Sequence, residues 1–151
     1  MQKITSFCVD HDFIVPGIYV SRIDGDVTTY DLRTRRPNCG DYMDNLTMHS
    51  LEHMAATLLR NSALAGDILY FGPMGCQTGF YLLVRNADNG NVLHILKDVL
   101  QGISGSGEMF GARRRECGNY KNLSLDAARA EAARFLRVLE ENVQTFVYPM
   151  E

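Results

Sequence analysis

Two histidines and a glutamate stand close together in His49-Ser50-Leu51-Glu52-His53, an H-x-x-E-H pattern. In a helix, residues four apart lie on one face, so His49 and His53 can bind the same metal ion. Glu52 lies three residues after His49, and its carboxylate can reach an open coordination position. Two imidazoles beside a free carboxylate are typical of a catalytic metal site. Two exposed histidines with an unrelated glutamate are the alternative.

The sequence around this pattern favours a helix. Residues 44–61 contain no glycine or proline, and Asn45 or Thr47 could cap the helix start. Apolar residues recur at helical spacing on the face opposite the histidines, namely Leu51, Met54, Ala55 and Leu58. The small Ala56 lies on the polar face. We therefore expect one face to pack inward and the other to leave room for an ion.

Two histidines hold a catalytic metal poorly, so a third protein ligand is expected. The candidates are His11, His94, the four cysteines and several carboxylates. His94 lies between apolar neighbours and is expected to be a partly buried helix residue. Cys117 precedes Gly118, which permits close backbone approach. A thiolate with two imidazoles suits Zn²⁺, Fe²⁺ or Co²⁺, and the residues alone leave this choice open.

Cys76 lies in a turn-rich segment between Gly75 and Gln77-Thr78-Gly79. Small neighbours leave its side chain accessible, whereas a structural cysteine normally lies within an apolar strand. An accessible thiol near a divalent cation can shuttle protons, which makes Cys76 a candidate acid–base residue. A loop cysteine without a function is the alternative.

The whole chain has the composition of an ordinary globular protein, with 151 residues, 46% hydrophobic and 22% charged, and one domain spanning 1–151 is expected. A net charge of −3 argues against nucleic acid as the main partner. No apolar stretch approaches the ~18 residues that span a bilayer. Met1 to Phe13 resembles neither a signal peptide nor an anchor. We therefore expect a cytoplasmic protein with reduced thiols and no membrane partner. Most residues of the basic clusters at Arg33, Arg35-Arg36 and Arg113 to Arg115 are expected to be solvated.

The order of predicted elements is typical of an α+β domain. Strands are predicted at 17–22, 27–33, 67–71 and 80–84, with a hairpin signal at Asp24-Gly25. Helices are predicted at 44–61, at 92–103 and from about Ser124. The last helix is expected to bury Leu125, Ala128, Ala132, Phe135, Leu136 and Leu139. Hairpins with helices between them indicate a mainly antiparallel sheet with helices packed on one face.

Five segments, in order along the chain, resemble those of one enzyme family. They are Ser6-Phe7 with Asp10-His11, Tyr30 to Arg33 with Pro37-Asn38, His49 to His53, Pro73 to Tyr81, and Glu116 to Tyr120. The family is that of the S-ribosylhomocysteine lyases, the LuxS enzymes that make the precursor of autoinducer-2. The chain departs from the common pattern at Ser50, at Tyr70-Phe71-Gly72 and at Thr34-Arg35-Arg36, and Cys8 and Cys39 have no assigned role.

The resemblance implies a LuxS/metallohydrolase-like α/β sandwich and a set of site residues. The implied ligands of one divalent metal per subunit are His49, His53 and Cys117. The metal would be Fe²⁺ in the native form, with Zn²⁺ or Co²⁺ as substitutes. The implied general acid–base pair is Cys76 and Glu52. The implied substrate contacts are Ser6, His11 and Arg33, contributed by the partner subunit of a homodimer with active sites at its interface. We therefore expect Arg33→Ala and Cys76→Ala subunits to complement each other in heterodimers.

The implied reaction cleaves S-ribosyl-L-homocysteine to L-homocysteine and 4,5-dihydroxy-2,3-pentanedione. The sugar carbonyl must migrate by two proton transfers before the thioether can leave by β-elimination, and a Lewis-acidic metal assists each transfer. The main rival is a metallopeptidase, since H-x-x-E-H also occurs in inverzincins. A passive metal-binding domain is the third hypothesis, and it leaves Glu52 and Cys76 without a role.

Overall fold

A four-stranded antiparallel sheet forms one layer of the molecule. The computed structural model describes residues 1–150, and its strands are β1 (Gly17–Asp24), β2 (Val27–Arg33), β3 (Ile68–Pro73) and β4 (Gly79–Arg85). Their order across the sheet is β1-β2-β4-β3, and every neighbouring pair is antiparallel. The predicted strands are confirmed with small shifts at their ends. In the first hairpin, Gly25 takes a positive φ of 60°, as its turn signal predicts.

Three helices form the second layer: α1 (Asn45–Leu59), α2 (Asn89–Ser104) and α3 (Leu125–Glu141). Each begins after a side-chain cap, supplied by Asp44, Asp88 and Ser124. The prediction that Asn45 or Thr47 caps α1 is wrong. The Asp44 carboxylate accepts from the Thr47 amide, and Asn45 instead accepts a hydrogen bond from the Asn122 side chain.

The core lies between the helices and one face of the sheet. Along β4, the buried side chains of Phe80, Leu82 and Val84 alternate with half-buried ones, as expected when helices cover one face. The predicted α+β class with a mainly antiparallel sheet is therefore confirmed. Among residues 1–150, no helix is both long and apolar enough to cross a membrane.

Three burial predictions are wrong in detail. Leu58 is only half-buried, because the inward face of α1 continues to the fully buried Leu59. Leu125 is half-buried at the first turn of α3, although the other predicted core residues of that helix are buried. His94 is exposed on α2, where its ring lies 3.5 Å from the Asp98 carboxylate. A residue between apolar neighbours in a helix points away from both, which explains this difference.

The segment after α3 returns along the edge strand β1. The Val20 amide donates to the Phe146 carbonyl at 2.8 Å, and Phe146 forms a parallel bridge with Tyr19. The Ile18 amide donates to the Gln144 side chain at 3.0 Å. These bonds fix the segment against the sheet, and they place Tyr148 beside the buried Asp31 of β2.

Candidate active site

Helix α1 and the segment before α3 bring the three predicted metal ligands together. The ligand atoms of His49, His53 and Cys117 all lie within 4.8 Å of one another. The Cys117 sulfur is 3.3 Å from His49 Nε2, and the two imidazole rings are 4.6 Å apart at their centroids. All three side chains are half-buried. A single ion placed between these atoms could contact two nitrogens and one sulfur.

Backbone carbonyls orient both imidazoles. His49 Nδ1 lies 2.8 Å from the Asn122 carbonyl, and His53 Nδ1 lies 3.1 Å from the Phe110 carbonyl. Because a carbonyl only accepts, each Nδ1 carries the proton and each Nε2 keeps a free lone pair. Asn122 Nδ2 also lies 3.2 Å from His49 Nδ1, but it donates at 2.6 Å to Asn45. Two Nε2 atoms and a thiolate fit a divalent transition metal.

Gly111 approaches His53 too closely to carry a side chain. It has a φ of +66°, and a Cβ placed on it would lie 2.8 Å from His53 Nδ1. Sequence reasoning missed this residue and chose Gly118 instead. That choice is wrong, because a Cβ on Gly118 would meet nothing within 4 Å. The only sequence signal for Gly111 was its position after a glycine-rich run, which does not identify the ring that it faces.

Ser50 joins α1 to the segment that carries Cys117. Its side chain is fully buried, and its hydroxyl accepts a hydrogen bond of 2.8 Å from the Ser124 amide. A threonine would present the same hydroxyl, so this departure from the family pattern preserves the bond. Glu52 is half-buried on α1 beside His53. The carboxylate of Glu52 is not among the ligand atoms that cluster within 4.8 Å of one another, so its role beside the metal stays a prediction from the H-x-x-E-H spacing.

Cys76 lies at the turn between β3 and β4 and is exposed, as predicted. It opens onto a cavity of about 190 Å³ that is lined by His11, Pro37, Asn38, Tyr42, Cys76, Gln77 and Thr78. Two hydrogen bonds hold the turn in place, from the Met43 amide to the Gln77 carbonyl at 3.0 Å and from Gln77 Nε2 to the Met43 carbonyl at 2.8 Å. Met43 lies just before α1, so these bonds fix the turn near the start of that helix.

Arg33 is buried beside Cys76, with only 3% of its surface exposed. Its Nε and Nη2 donate to the two oxygens of Asp31 at 3.1 and 2.6 Å. Its Nη1 donates to Thr78 Oγ1 at 2.8 Å and lies 3.9 Å from the Cys76 sulfur. The same Thr78 oxygen is 3.0 Å from that sulfur. Burial alone would lower the pKa of Arg33, but the Asp31 carboxylate raises it above its ordinary value, so the guanidinium stays charged.

These positions correct two expectations. A solvated surface role for Arg33 and Arg35 is wrong, because Arg33 is buried and the Arg35 side chain is only 13% exposed. The expectation that Arg33 and Cys76 complement each other from different subunits is also wrong, because one chain holds them side by side. His11 lines the same cavity as Cys76, whereas Ser6 lies in a separate pocket with Tyr70 and Tyr81 on the outer face of the sheet.

Arg35 fixes the loop that forms one wall of the cavity. Its guanidinium donates to both oxygens of the buried Glu131 on α3, at 2.9 and 2.7 Å, and to Asp41 at 2.6 Å. Hydrogen bonding from Arg134 and from Arg35 holds the pKa of Asp41 below its usual range. The chain departs from the family pattern at Thr34-Arg35-Arg36. The ion pairs of Arg35 hold the loop that bears Pro37 and Asn38 in this chain.

Comparison with known proteins agrees with the resemblance. The family model described as S-ribosylhomocysteinase (LuxS) matches residues 4–146. An S-ribosylhomocysteine lyase of Borreliella afzelii is 43% identical, with 95% of this chain and 99% of that protein covered. The lyases of Finegoldia magna and Clostridium beijerinckii are each 40% identical, with 99% of both chains covered. These matches do not support the metallopeptidase alternative.

Proposed function

We propose that this chain cleaves S-ribosyl-L-homocysteine to L-homocysteine and 4,5-dihydroxy-2,3-pentanedione, the precursor of autoinducer-2. The chain belongs to the S-ribosylhomocysteinase (LuxS) family, and the proposal follows from that membership. The observation that supports this most strongly is a candidate metal cluster, formed by two histidines of α1 and Cys117, together with a thiol held beside a buried guanidinium. A water-activating peptidase has no use for that thiol. A passive metal-binding domain would leave both Cys76 and Glu52 idle.

One divalent metal per subunit fits His49, His53 and Cys117, with Fe²⁺ as the native ion and Zn²⁺ or Co²⁺ as substitutes. Bound there, the ion would act as a Lewis acid that polarises the substrate oxygens. The chain itself orients the ligands, since the Asn122 and Phe110 carbonyls hold the two rings. The four thiols are unpaired, which fits a reducing compartment such as the cytoplasm.

The reaction needs groups that move protons between neighbouring carbons. We assign Cys76 to carbonyl migration, in which a C–H proton is taken from one carbon and returned to the next. The positive charge of Arg33, 3.9 Å away, stabilises the thiolate that accepts the proton. Glu52 takes the proton in the final β-elimination, in which the carbon–sulfur bond breaks and the homocysteine thiolate leaves and is protonated. The reaction consumes no oxidant or reductant.

The active site is assembled from two subunits of a homodimer in this proposal. Among residues 1–150, the lining of the Cys76 cavity includes none of the candidate metal ligands. We therefore assign the metal ligands and Glu52 to one subunit. We assign Cys76 to the partner subunit, together with the substrate-binding residues Ser6, His11 and Arg33. Arg33 can hold a substrate carboxylate or hydroxyl only through the part of its fork that Asp31 does not occupy.

Thiol release from S-ribosylhomocysteine tests the proposed activity. The protein loaded with Co²⁺ or Fe²⁺ should release homocysteine, which is titrated with a thiol reagent. Cys76→Ala should lose this release by a factor of about 10² to 10⁴, the range for loss of a general acid–base group, with metal content unchanged. Cys39→Ser is the matched control, because Cys39 is also an exposed loop thiol. Near-normal turnover by Cys76→Ala would remove that residue from the mechanism.

A further inference from the structure

Tyr148 reaches the ion pair behind Cys76 from the carboxyl-terminal segment. Its hydroxyl donates to Asp31 Oδ2 at 2.7 Å, the same oxygen that receives Arg33 Nη2 at 2.6 Å. Asp31 is 1% exposed, so water does not compete for these bonds. A hydrogen bond to a buried carboxylate is among the stronger ones in proteins. Tyr148 lies two residues beyond the part of the chain that the family model matches.

The position of the Tyr148 ring is itself well fixed. The ring stacks on that of Tyr19, with centroids 4.9 Å apart and planes inclined by 18°. The backbone two residues earlier is bonded to β1 through the Val20 amide and the Phe146 carbonyl at 2.8 Å. Burial and the charge of Asp31 raise the pKa of the Tyr148 hydroxyl, so it keeps its proton and remains a donor.

The Tyr148 hydroxyl affects Cys76 through the side chains of Asp31 and Arg33. Asp31 holds Nε and Nη2 of Arg33, and this leaves Nη1 to face Thr78 and the Cys76 sulfur. A guanidinium is a rigid planar fork, so a rotation of the Asp31 carboxylate would also move Nη1 relative to the sulfur. The Tyr148 hydroxyl restrains that rotation, because it binds the oxygen on which the fork rests.

We propose that Tyr148 is a positioning residue, whose hydroxyl fixes the Asp31 carboxylate and thereby holds the Arg33 guanidinium against Cys76. Its role in turnover rests on the proposed lyase function. The geometric role does not, because it concerns only the environment of the Cys76 thiol. Tyr148 therefore acts through two other residues and need not touch the substrate.

The rate at which iodoacetamide alkylates Cys76 tests this inference without substrate. The thiolate attacks the reagent and iodide leaves, so the rate reports how well the thiolate is stabilised. Cleavage after Arg60 and Arg85 gives a tryptic peptide in which Cys76 is the only cysteine, so mass spectrometry can follow this site alone. The metal-loaded protein is alkylated for timed intervals, quenched, digested and compared between variants.

Tyr148→Phe should slow alkylation of Cys76 about three- to tenfold, the size expected for loss of one hydrogen bond, and kcat for homocysteine release should fall by a similar factor with KM little changed. Tyr19→Phe is the matched control. It also loses a tyrosine hydroxyl, one that donates to the Val15 carbonyl at 2.6 Å, from the ring stacked on Tyr148. It should leave the alkylation rate unchanged even if the melting temperature falls.

An unchanged alkylation rate in Tyr148→Phe, or an equal loss in Tyr19→Phe, would overturn the positioning role. Failure of the wild-type protein to release homocysteine would instead refute the proposed lyase function. In that case, slower alkylation in Tyr148→Phe alone would still support the positioning role, and an unchanged rate would still overturn it. The two failures are therefore distinguishable.

Discussion

Replacing Gly111 by alanine should weaken metal binding by moving His53. The added Cβ would lie 2.8 Å from His53 Nδ1, about 0.6 Å inside the 3.4 Å at which ordinary contact begins. The ring is held by a 3.1 Å bond to the Phe110 carbonyl of the preceding residue, so a shift also disturbs that bond. Metal–ligand distances tolerate only about 0.2 Å. We therefore expect a 10- to 100-fold loss of affinity, the usual effect of disturbing a residue that orients a ligand.

A Co²⁺ titration against a competing chelator measures this loss, and two glycine controls separate its causes. Gly118→Ala adds a methyl group next to Cys117 where nothing lies within 4 Å, so affinity should be unchanged. Gly40 has a φ of +80°, and a Cβ placed on it would also meet nothing within 4 Å. Gly40→Ala should therefore lose only the ~1–2 kcal/mol of stability that backbone strain costs, with metal affinity unchanged. Wild-type affinity in Gly111→Ala, or equal losses in all three variants, would refute the steric argument.

Two other variants test the ligand set and the wall of the Cys76 cavity. Cys117→Ala should bind far less metal than wild type by elemental analysis, because two histidines alone hold a catalytic metal poorly, and full occupancy would exclude Cys117 as a ligand. Arg35→Ala should lower stability by about 3 kcal/mol in a denaturant titration, since the buried Glu131 carboxylate loses its partner. The exposed Arg36→Ala is its control, and equal losses in the two would contradict the role of the ion pair.

Local sequence patterns predicted the parts of the site that lie on one element. His49, Glu52 and His53 share a helix, so their relative placement follows from 3.6 residues per turn. The hairpins and the α+β class followed in the same way from turn signals and alternation. Cys117 was harder to place, because only the packing of the segment before α3 against α1 brings it to 3.3 Å from His49. The resemblance supplied what spacing could not.

The relation of Arg33 to Cys76 could not be predicted, because it depends on strand register. Arg33 pairs with Gly79 across β2 and β4, and this pairing places Thr78 and Cys76 beside the guanidinium. A shift of one residue in register would turn Arg33 to the other face of the sheet. Tyr148 is a similar case, since its hydroxyl meets Asp31 only because the carboxyl-terminal segment folds back along β1.

Heterodimer complementation tests the central claim most directly. The claim is that the metal ligands and Glu52 of one subunit (the metal group) work with Arg33 and Cys76 of its partner (the Cys76 group). Homodimers of Glu52→Gln and of Cys76→Ala should each be nearly inactive. Heterodimers of the two should recover up to about half of normal homocysteine release, because one of the two symmetric sites is then wholly wild type. Arg33→Ala paired with Cys76→Ala should recover nothing, since both residues belong to one group. With subunit exchange confirmed by tag pull-down, no recovery in the Glu52→Gln pair, or recovery in the Arg33→Ala pair, would contradict this arrangement.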